Sequence, residues 1–185
     1  MEKTFAHVKT RSLTLCSFFI ALTIIGAYIS IPIPVGPVPI VFADFFIMLA
    51  ARVLGVKRGM GVAAAYLVLG LLGFPVFSGG GGGVIFFLGP TGGFLMGYLL
   101  LAAASGLFNP RGKHSALKSI FPLILGNLLL YASGTIWLVW IFNMPPMTAA
   151  GAAVLPFLPG TLLKIMLALA ISQRITPFLR DDLHK

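Results

Sequence analysis

Positive charge along this chain is collected into four short groups that alternate with long apolar stretches. Twelve of the thirteen Lys and Arg residues lie in these groups, and the thirteenth, Lys164, stands alone within an apolar stretch. Successive groups are separated by enough residues for two membrane crossings, and basic residues mark the cytoplasmic loops of membrane proteins. The groups are Lys3, Lys9 and Arg11; Arg52, Lys57 and Arg58; Arg111, Lys113 and Lys118; and Arg174, Arg180 and Lys185.

This pattern predicts an all-α integral membrane protein with six transmembrane helices and both termini in the cytoplasm. A bilayer core about 30 Å thick requires roughly 20 apolar helical residues, and fewer where the membrane is thin. Residues 1–185 are predicted to form a single transmembrane domain. The predicted spans are 12–30, 39–54, 59–73, 91–108, 120–142 and 159–176.

Composition argues against a soluble domain, because 58% of the residues are hydrophobic and 9% are charged, which is too little charge for a solvated surface. The net charge of +9 belongs to short loops, where it orients helices and meets anionic membrane lipid. Nucleic acid is therefore not an expected partner. The three histidines are scattered and Cys16 has no ligand partner nearby in the sequence, so no metal site is expected.

The three connections on the opposite, outward side contain no Lys, Arg, Asp or Glu and hold most of the prolines. Helices 2, 4 and 6 run inward from this side, so their amino ends should converge on one outer cavity that suits an anion. Pro39, Pro90 and Pro159 lie at or just before these ends, where a missing N–H costs least. Trp137 and Trp140, near the outer end of helix 5, are interpreted as an interfacial aromatic belt.

Apart from Arg52 and Arg174, which belong to the basic groups, two charged residues lie inside the predicted spans, Asp44 and Lys164. A charge in hydrocarbon costs at least about 2.5 kcal/mol unless it is paired or hydrated, and such residues are usually functional. Both lie near the outer ends of their helices, so they can meet. Two interpretations remain open, a structural ion pair that fixes helix packing and a contact with a ligand.

Five consecutive glycines, Gly79 to Gly83, precede a segment that ends in Gly89, Pro90, Thr91, Gly92 and Gly93. Glycine lets the main chain approach a ligand closely, and exposed amides form anion-binding concavities. The alternative is a flexible linker. The P-loop sequence GxxxxGK[ST] does not occur, so this run does not bind nucleotide in that way. Thr91 is predicted to cap helix 4.

Four segments carry a family resemblance that extends over nearly the whole chain. They read FPVFSGGGGGVIFFLGPTGGFLMGY at 74–98, PVPI at 37–40, GNLLLYASG at 126–134 and PFLPGTLLK at 156–164. These segments resemble the BioY family, the biotin-specific membrane subunits of energy-coupling factor (ECF) transporters. The resemblance implies a non-enzymatic, high-affinity biotin-binding subunit without a cofactor. It also implies docking onto a transmembrane coupling subunit and two cytoplasmic ATPases, in the inner membrane of a bacterial cell.

The resemblance also assigns the ligand contacts. Lys164 and the helix amino ends would hold the valerate carboxylate or another polar end of biotin, while the loop amides and Asn127 would serve the ureido group. Aromatic side chains would cover its apolar rings and chain. The orientation of biotin is left open. The candidate binding residues are Asp44, Gly79, Gly80, Gly81, Gly82, Gly83, Phe86, Phe87, Gly89, Thr91, Gly92, Asn127, Tyr131, Thr161 and Lys164.

This chain departs from the family pattern at two places. Thr161 stands where the family pattern PGDLLK has aspartate, and Val41 to Asp44 replace a stretch similar to TLQT. We hypothesise that Asp44, from helix 2, supplies the carboxylate that position 161 lacks. Because of these departures, a different small carboxylate vitamin is an alternative substrate.

Two other classes of function fit the sequence less well. An intramembrane hydrolase or lipid transferase would need a buried His, a GxSxG turn or paired carboxylates, and the spans contain none of these. A self-sufficient secondary carrier or channel would use Asp44 and Lys164 as a proton-coupled pair. No internal repeat supports that alternative.

Overall fold

The structure, a computed structural model, describes residues 2–33, 36–107 and 116–180. Arg111, Lys113 and Lys185 of the predicted basic groups lie outside these residues. Within the described part, the chain forms eight α-helices, two short strands and a 3-10 turn at Ser78–Gly80. The elements are α1 (Glu2–Tyr28), β1 (Ser30–Ile31), β2 (Ile40–Val41), α2 (Ala43–Leu54), α3 (Val56–Leu71), α4 (Val84–Leu88), α5 (Gly92–Ser105), α6 (Ala116–Phe142), α7 (Pro146–Val154) and α8 (Leu158–Arg180).

Six of these helices correspond to the predicted spans, and the differences lie at their ends. The predicted start of helix 2 at residue 39 is wrong, because Ile40 and Val41 pair with Ile31 and Ser30 as antiparallel strands. The helix α2 therefore begins only at Ala43. The helices α4 and α7 were not predicted, since they are short and lie in connections rich in glycine and proline.

Among the described residues, three helices are long and apolar enough to cross a membrane, Thr10–Tyr28, Ser119–Phe142 and Leu158–Thr176. The chain is therefore a helical membrane protein. The 12 residues of α2 rise only about 18 Å, and α3 and α5 have 16 and 14 residues. All three are shorter than the roughly 20 residues that span an average bilayer. Six complete crossings thus remain a prediction.

The helix α2 is the centre of the bundle, with contacts to α1, α3, α5 and α8. Nearly all of its side chains are buried. It is joined to α3 by Gly55 alone, whose φ of 88° lets the chain reverse between two helices. Close to this turn, a Cβ on Gly59 would lie 2.3 Å from the Ala51 Cα atom, so the two helices touch backbone to backbone.

The helices α2 and α8 run parallel in a fixed register. Asp44 contacts Lys164, and two turns further along Arg52 contacts Ser172, both at a sequence separation of 120. Residues four apart lie on one helix face, so a constant separation requires parallel axes. Met48 is buried on the intervening turn of α2. Helices 2 and 6 of the prediction therefore start on the same side of the bundle.

The helices α5 and α6 pack antiparallel through small residues. A Cβ on Gly93 would lie 2.2 Å from Trp137 Cβ, and one on Gly97 would lie 2.8 Å from Leu130 Cδ1. The Trp137 indole is half-buried and donates from Nε1 to the Gly89 carbonyl at 2.9 Å. Trp137 thus joins α6 to the segment before α5. Trp140 is 79% exposed, and the interfacial aromatic belt stays a prediction.

Arg52 was predicted in a cytoplasmic loop group, but the structure buries it completely in α2. Its Nε atom donates to Ser172 Oγ at 2.9 Å, and Ser172 in turn donates to the Leu169 carbonyl. Neither Nη1 nor Nη2 has a hydrogen-bond partner among the described residues. A guanidinium carries five N–H donors, so most of its hydrogen-bonding capacity is unused at this end of the bundle.

Two glycines of α3 provide a matched test of this packing. At Gly70 an added Cβ would lie 1.9 Å from the Phe77 ring, whereas at the exposed Gly61 it would meet nothing within 4 Å. We expect Gly70→Ala to destabilise the protein by about 1–3 kcal/mol through overpacking. Gly61→Ala should be neutral or stabilise by up to about 1 kcal/mol through helix propensity. Thermal unfolding of the detergent-purified variants measures both, and equal melting temperatures would contradict the Phe77 contact.

Candidate ligand-binding cavity

A cavity lies where the first turns of α2, α5 and α8 come together. It contains ≈ 590 Å³ of space free of protein atoms, including the open solvent at its mouth. The predicted convergence of three helix starts is thus confirmed. The lining residues are Ala27, Val38, Pro39, Val41, Asp44, Tyr66, Phe77, Ser78, Phe86, Thr91, Phe94, Leu95, Tyr98, Leu130, Tyr131, Phe157 and Lys164.

An ion pair between α2 and α8 lies in the wall of this cavity. The Lys164 ammonium donates to Asp44 Oδ1 at 2.9 Å, to Asp44 Oδ2 at 3.0 Å and to the Val41 carbonyl at 2.6 Å. It also lies 5.1 Å from the centre of the Phe42 ring. Two of these acceptors belong to one carboxylate, so the ammonium is bonded to Asp44 and to the Val41 carbonyl. The pairing considered from the sequence is therefore present, and Asp44 balances the charge of Lys164.

The pair leaves the cavity electrically neutral. Among the described residues that line it, Asp44 and Lys164 are the only Asp, Glu, Lys or Arg side chains. Asp44 also lies in the first turn of α2, where its negative charge offsets the positive end of the helix dipole. A free carboxylate placed here would meet Asp44 without an unpaired cation to balance it. The cavity wall is therefore better suited to a polar but uncharged group.

Seven of the other fifteen lining residues are aromatic. Phe94 and Phe157 stack with their centroids 5.8 Å apart, and Phe77 lies 5.6 Å from Phe86. The Tyr131 hydroxyl forms a short hydrogen bond with Thr161 Oγ1, which fixes its ring between α6 and α8. Aromatic faces of this kind enclose flat or apolar ring systems and exclude water from polar groups beside them.

The glycine run shapes the chain beside the cavity without lining it. Phe77 and Gly81 are joined by a backbone hydrogen bond of 2.8 Å, and Gly83 donates to the Gly70 carbonyl at 2.7 Å. A Cβ on Gly81 would lie 2.0 Å from the Phe86 ring, so the absence of a side chain lets this ring fold against the loop. Hydrogen bonds thus define the path of this segment, which is not a free linker.

The model of the BioY family matches residues 1–181. This chain belongs to the BioY family. Its resemblance to that family in the four sequence segments is thereby confirmed over almost its full length.

Members of the BioY family are similar to this chain along most of their own length. A protein of Pyrococcus horikoshii named probable biotin transporter BioY is 38% identical, over 91% of this chain and 98% of that relative. Biotin transporter BioY of Thermotoga maritima is 36% identical, over 89% and 95%. The crystal structure of the S-component for biotin from an ECF-type ABC transporter superposes with a TM-score of 0.83 at 34% identity, covering 90% and 91% of the two chains.

The structure of this BioY-family chain brings only part of the predicted site to the cavity. Five predicted residues line it, and Thr161 stands behind Tyr131. Asn127 instead donates to the Leu123 carbonyl at 2.8 Å and contacts Met48 Sδ. The lining includes Asp44, Phe86, Thr91, Tyr131 and Lys164 but not Gly79, Gly80, Gly81, Gly82, Gly83, Phe87, Gly89, Gly92, Asn127 or Thr161.

The predicted capping bond of Thr91 is wrong. Thr91 precedes α5 at the N-cap position, but its backbone is helical and it makes no capping bond. Its hydroxyl donates instead to the Phe86 carbonyl at 2.9 Å. Thr91 thus ties the end of α4 to the start of α5 at the cavity wall.

Several lining residues were missed from the sequence, most notably Tyr66 and Tyr98. A signal for Tyr98 was present, because Thr91, Phe94 and Tyr98 follow the spacing of one helix face. Extending that face inward from Thr91 would have placed Tyr98 below it. Tyr66 carried no comparable signal, since it comes to the cavity from α3 through tertiary packing alone. No cluster of His, Cys, Asp or Glu that could hold a metal occurs among the described residues.

The ion pair makes a sharp prediction about stability. We expect Asp44→Asn to destabilise the protein by about 3–5 kcal/mol, because Lys164 would keep a buried charge without its carboxylate. The double variant Asp44→Leu, Lys164→Met removes both charges and should recover most of that loss. Thermal unfolding of the two variants in detergent provides the comparison. A double variant no more stable than the single one would contradict a dominant role for charge burial.

Proposed function

We propose that this chain captures biotin in the cavity between α2, α5 and α8, as the membrane-embedded substrate-binding subunit of an ECF-type transporter. Its relatives are named biotin transporters, and the similar crystal structure is the S-component for biotin of such a transporter. The observation that carries the proposal is the neutral, aromatic cavity with the Asp44–Lys164 pair in its wall. Biotin combines apolar ring surface with a polar, uncharged ureido group, and this cavity offers complementary surfaces to both.

The charges favour one orientation of the ligand. Asp44 already balances the charge of Lys164 and would itself repel a carboxylate. The ureido ring therefore points toward the ion pair, while the valerate carboxylate lies toward the mouth, where it keeps contact with water. Asp44 still has unused lone pairs with which to accept an N–H of the ligand. It thereby takes the part of the carboxylate that is absent at Thr161.

The transport step requires partners. A coupling subunit in the membrane and two cytoplasmic ATPases supply the energy, since this chain contains no P-loop sequence. In this proposal the chain is one domain that crosses a bacterial inner membrane six times, with both termini in the cytoplasm and lipid around its exposed apolar residues. The intramembrane enzyme finds no support, because the named relatives are transporters.

Purified protein without any ATPase should retain biotin through washing in detergent. Biotin amide, which lacks the carboxylate charge, should bind within about tenfold of biotin, because a charge near the mouth is screened by water. Lys164→Ala should weaken biotin binding at least about tenfold, because it removes the charge-assisted bonds that hold Asp44 in place. Equilibrium binding of the two ligands to both proteins gives these values.

Each outcome of this experiment has a distinct meaning. If the wild-type protein does not retain biotin but binds another small carboxylate tightly, that carboxylate is the substrate and biotin is not. If biotin binds normally but biotin amide does not, the carboxylate of biotin and not its ureido ring faces the ion pair. Lys57→Gln, an exposed cation beyond the other end of α2, serves as the control and should bind biotin as the wild type does.

Membrane topology can be tested with single cysteines. In a Cys16→Ala background, Val84→Cys in α4 should react with a membrane-impermeant maleimide from outside the cell, and Lys57→Cys should react only from inside. Both positions are exposed, and the basic loops define the inner side. Labelling after permeabilisation is the control for reactivity. The opposite pattern would place the cavity on the cytoplasmic side and overturn the proposed capture from outside.

A further inference from the structure

Two tyrosine hydroxyls at the cavity have no hydrogen-bond partner among the described residues, those of Tyr66 and Tyr98. Their rings are 1% and 5% exposed, lie 6.1 Å apart between centroids and line the cavity from α3 and α5. The other two tyrosines differ from them. Tyr28 donates to the Pro75 carbonyl at 2.7 Å, and Tyr131 is bonded to Thr161. Only the pair from α3 and α5 is left with its polar atoms unused.

These two hydroxyls are accessible from the cavity. The described side-chain atoms that are both fully enclosed and unpaired belong to Arg52, Ser105 and Thr176, and the tyrosine oxygens are not among them. Since both side chains are otherwise buried, the space that reaches their oxygens is the cavity that they line. A tyrosine hydroxyl in an interior normally finds a partner. Here the missing partner has to come from whatever occupies the cavity.

We propose that the hydroxyls of Tyr66 and Tyr98 hydrogen-bond the polar head of the ligand and make the cavity specific for a cyclic urea. This inference rests on the proposed function and on the orientation argued for it. A cyclic urea presents one carbonyl acceptor and N–H donors on the two sides of it. A tyrosine O–H donates to such a carbonyl, while its oxygen or the Asp44 carboxylate accepts from an N–H.

This arrangement distinguishes ligands with a urea group from ligands without one, because the latter leave polar groups of the cavity without hydrogen bonds. A ligand with a similar apolar chain and carboxylate but no urea would still fill the aromatic walls. It would leave the hydroxyls of Tyr66 and Tyr98 and the carboxylate of Asp44 without the bonds that water had supplied. A site built around hydrogen bonds to a polar group rejects ligands that lack that group far more strongly than an apolar pocket does.

Three ligands and four variants test the inference. Dethiobiotin keeps the urea and lacks the sulfur ring, whereas lipoate keeps a sulfur ring and a carboxylate and lacks the urea. The wild-type protein should bind dethiobiotin within about tenfold of biotin and lipoate at least about a hundredfold more weakly. Tyr66→Phe and Tyr98→Phe should each weaken biotin and dethiobiotin about tenfold, and the double variant should weaken them further. The same changes should raise the affinity for lipoate, because Phe has no hydroxyl for this ligand to leave unpaired.

Tyr28→Phe is the matched control, because its hydroxyl bonds a carbonyl outside the cavity lining, and it should bind biotin as the wild type does. Unchanged biotin affinity in the double Tyr→Phe variant would overturn the inference while the proposed function stands. Equal affinity of the wild-type protein for dethiobiotin and lipoate would overturn it without any variant, so a folding defect does not obscure the result. Failure of the wild-type protein to bind biotin at all would remove the proposed function and this inference together.

Discussion

The ion pair between Asp44 and Lys164 joins two helices at a depth where neither charge is stable alone. Removing a charge from water costs several kcal/mol unless an opposite charge and further hydrogen bonds replace the solvent. The Val41 carbonyl supplies the additional acceptor, and so the strand pair before α2 is tied to α8 as well. One contact thereby fixes the direction of α8 against the central helix and the position of a cavity wall.

The character of the cavity follows from this neutralisation. A lone lysine would have made an anion site, but an ion pair is a strong dipole with no net charge. Around it, rings from four helices and two connecting segments enclose a space with largely aromatic surface. Backbone contacts at glycines bring these rings close together, as at Gly81 against Phe86. The fold thus provides a polar but uncharged site enclosed by aromatic surface. This property matches the ureido ring of the proposed ligand.

The charge pattern was enough to locate the six principal helices, because insertion into a membrane acts on long segments and tolerates errors at their ends. It failed for Arg52, since a basic residue near a loop and one buried between helices look alike in a sequence. Convergence of helix starts was predictable from direction alone. The partners of Asn127 and Trp137 were not, because they depend on how neighbouring helices rotate and approach. Family resemblance predicted ligand contacts for the glycine run. In the structure these glycines do not line the cavity, and Gly81 packs against the Phe86 ring.

The shared separation of 120 residues between the contacts of α2 and α8 has a mechanical consequence. Sliding α8 by one turn, in a ratchet-like step, would put Asp44 opposite either Ala168 or Gly160, and neither can meet its charge. The same step would detach Arg52 from Ser172. Both contacts would break in the same step. A partial slide of α8 along α2 therefore has no stable intermediate. The two helices are expected to travel as a rigid body whenever the bundle reorients.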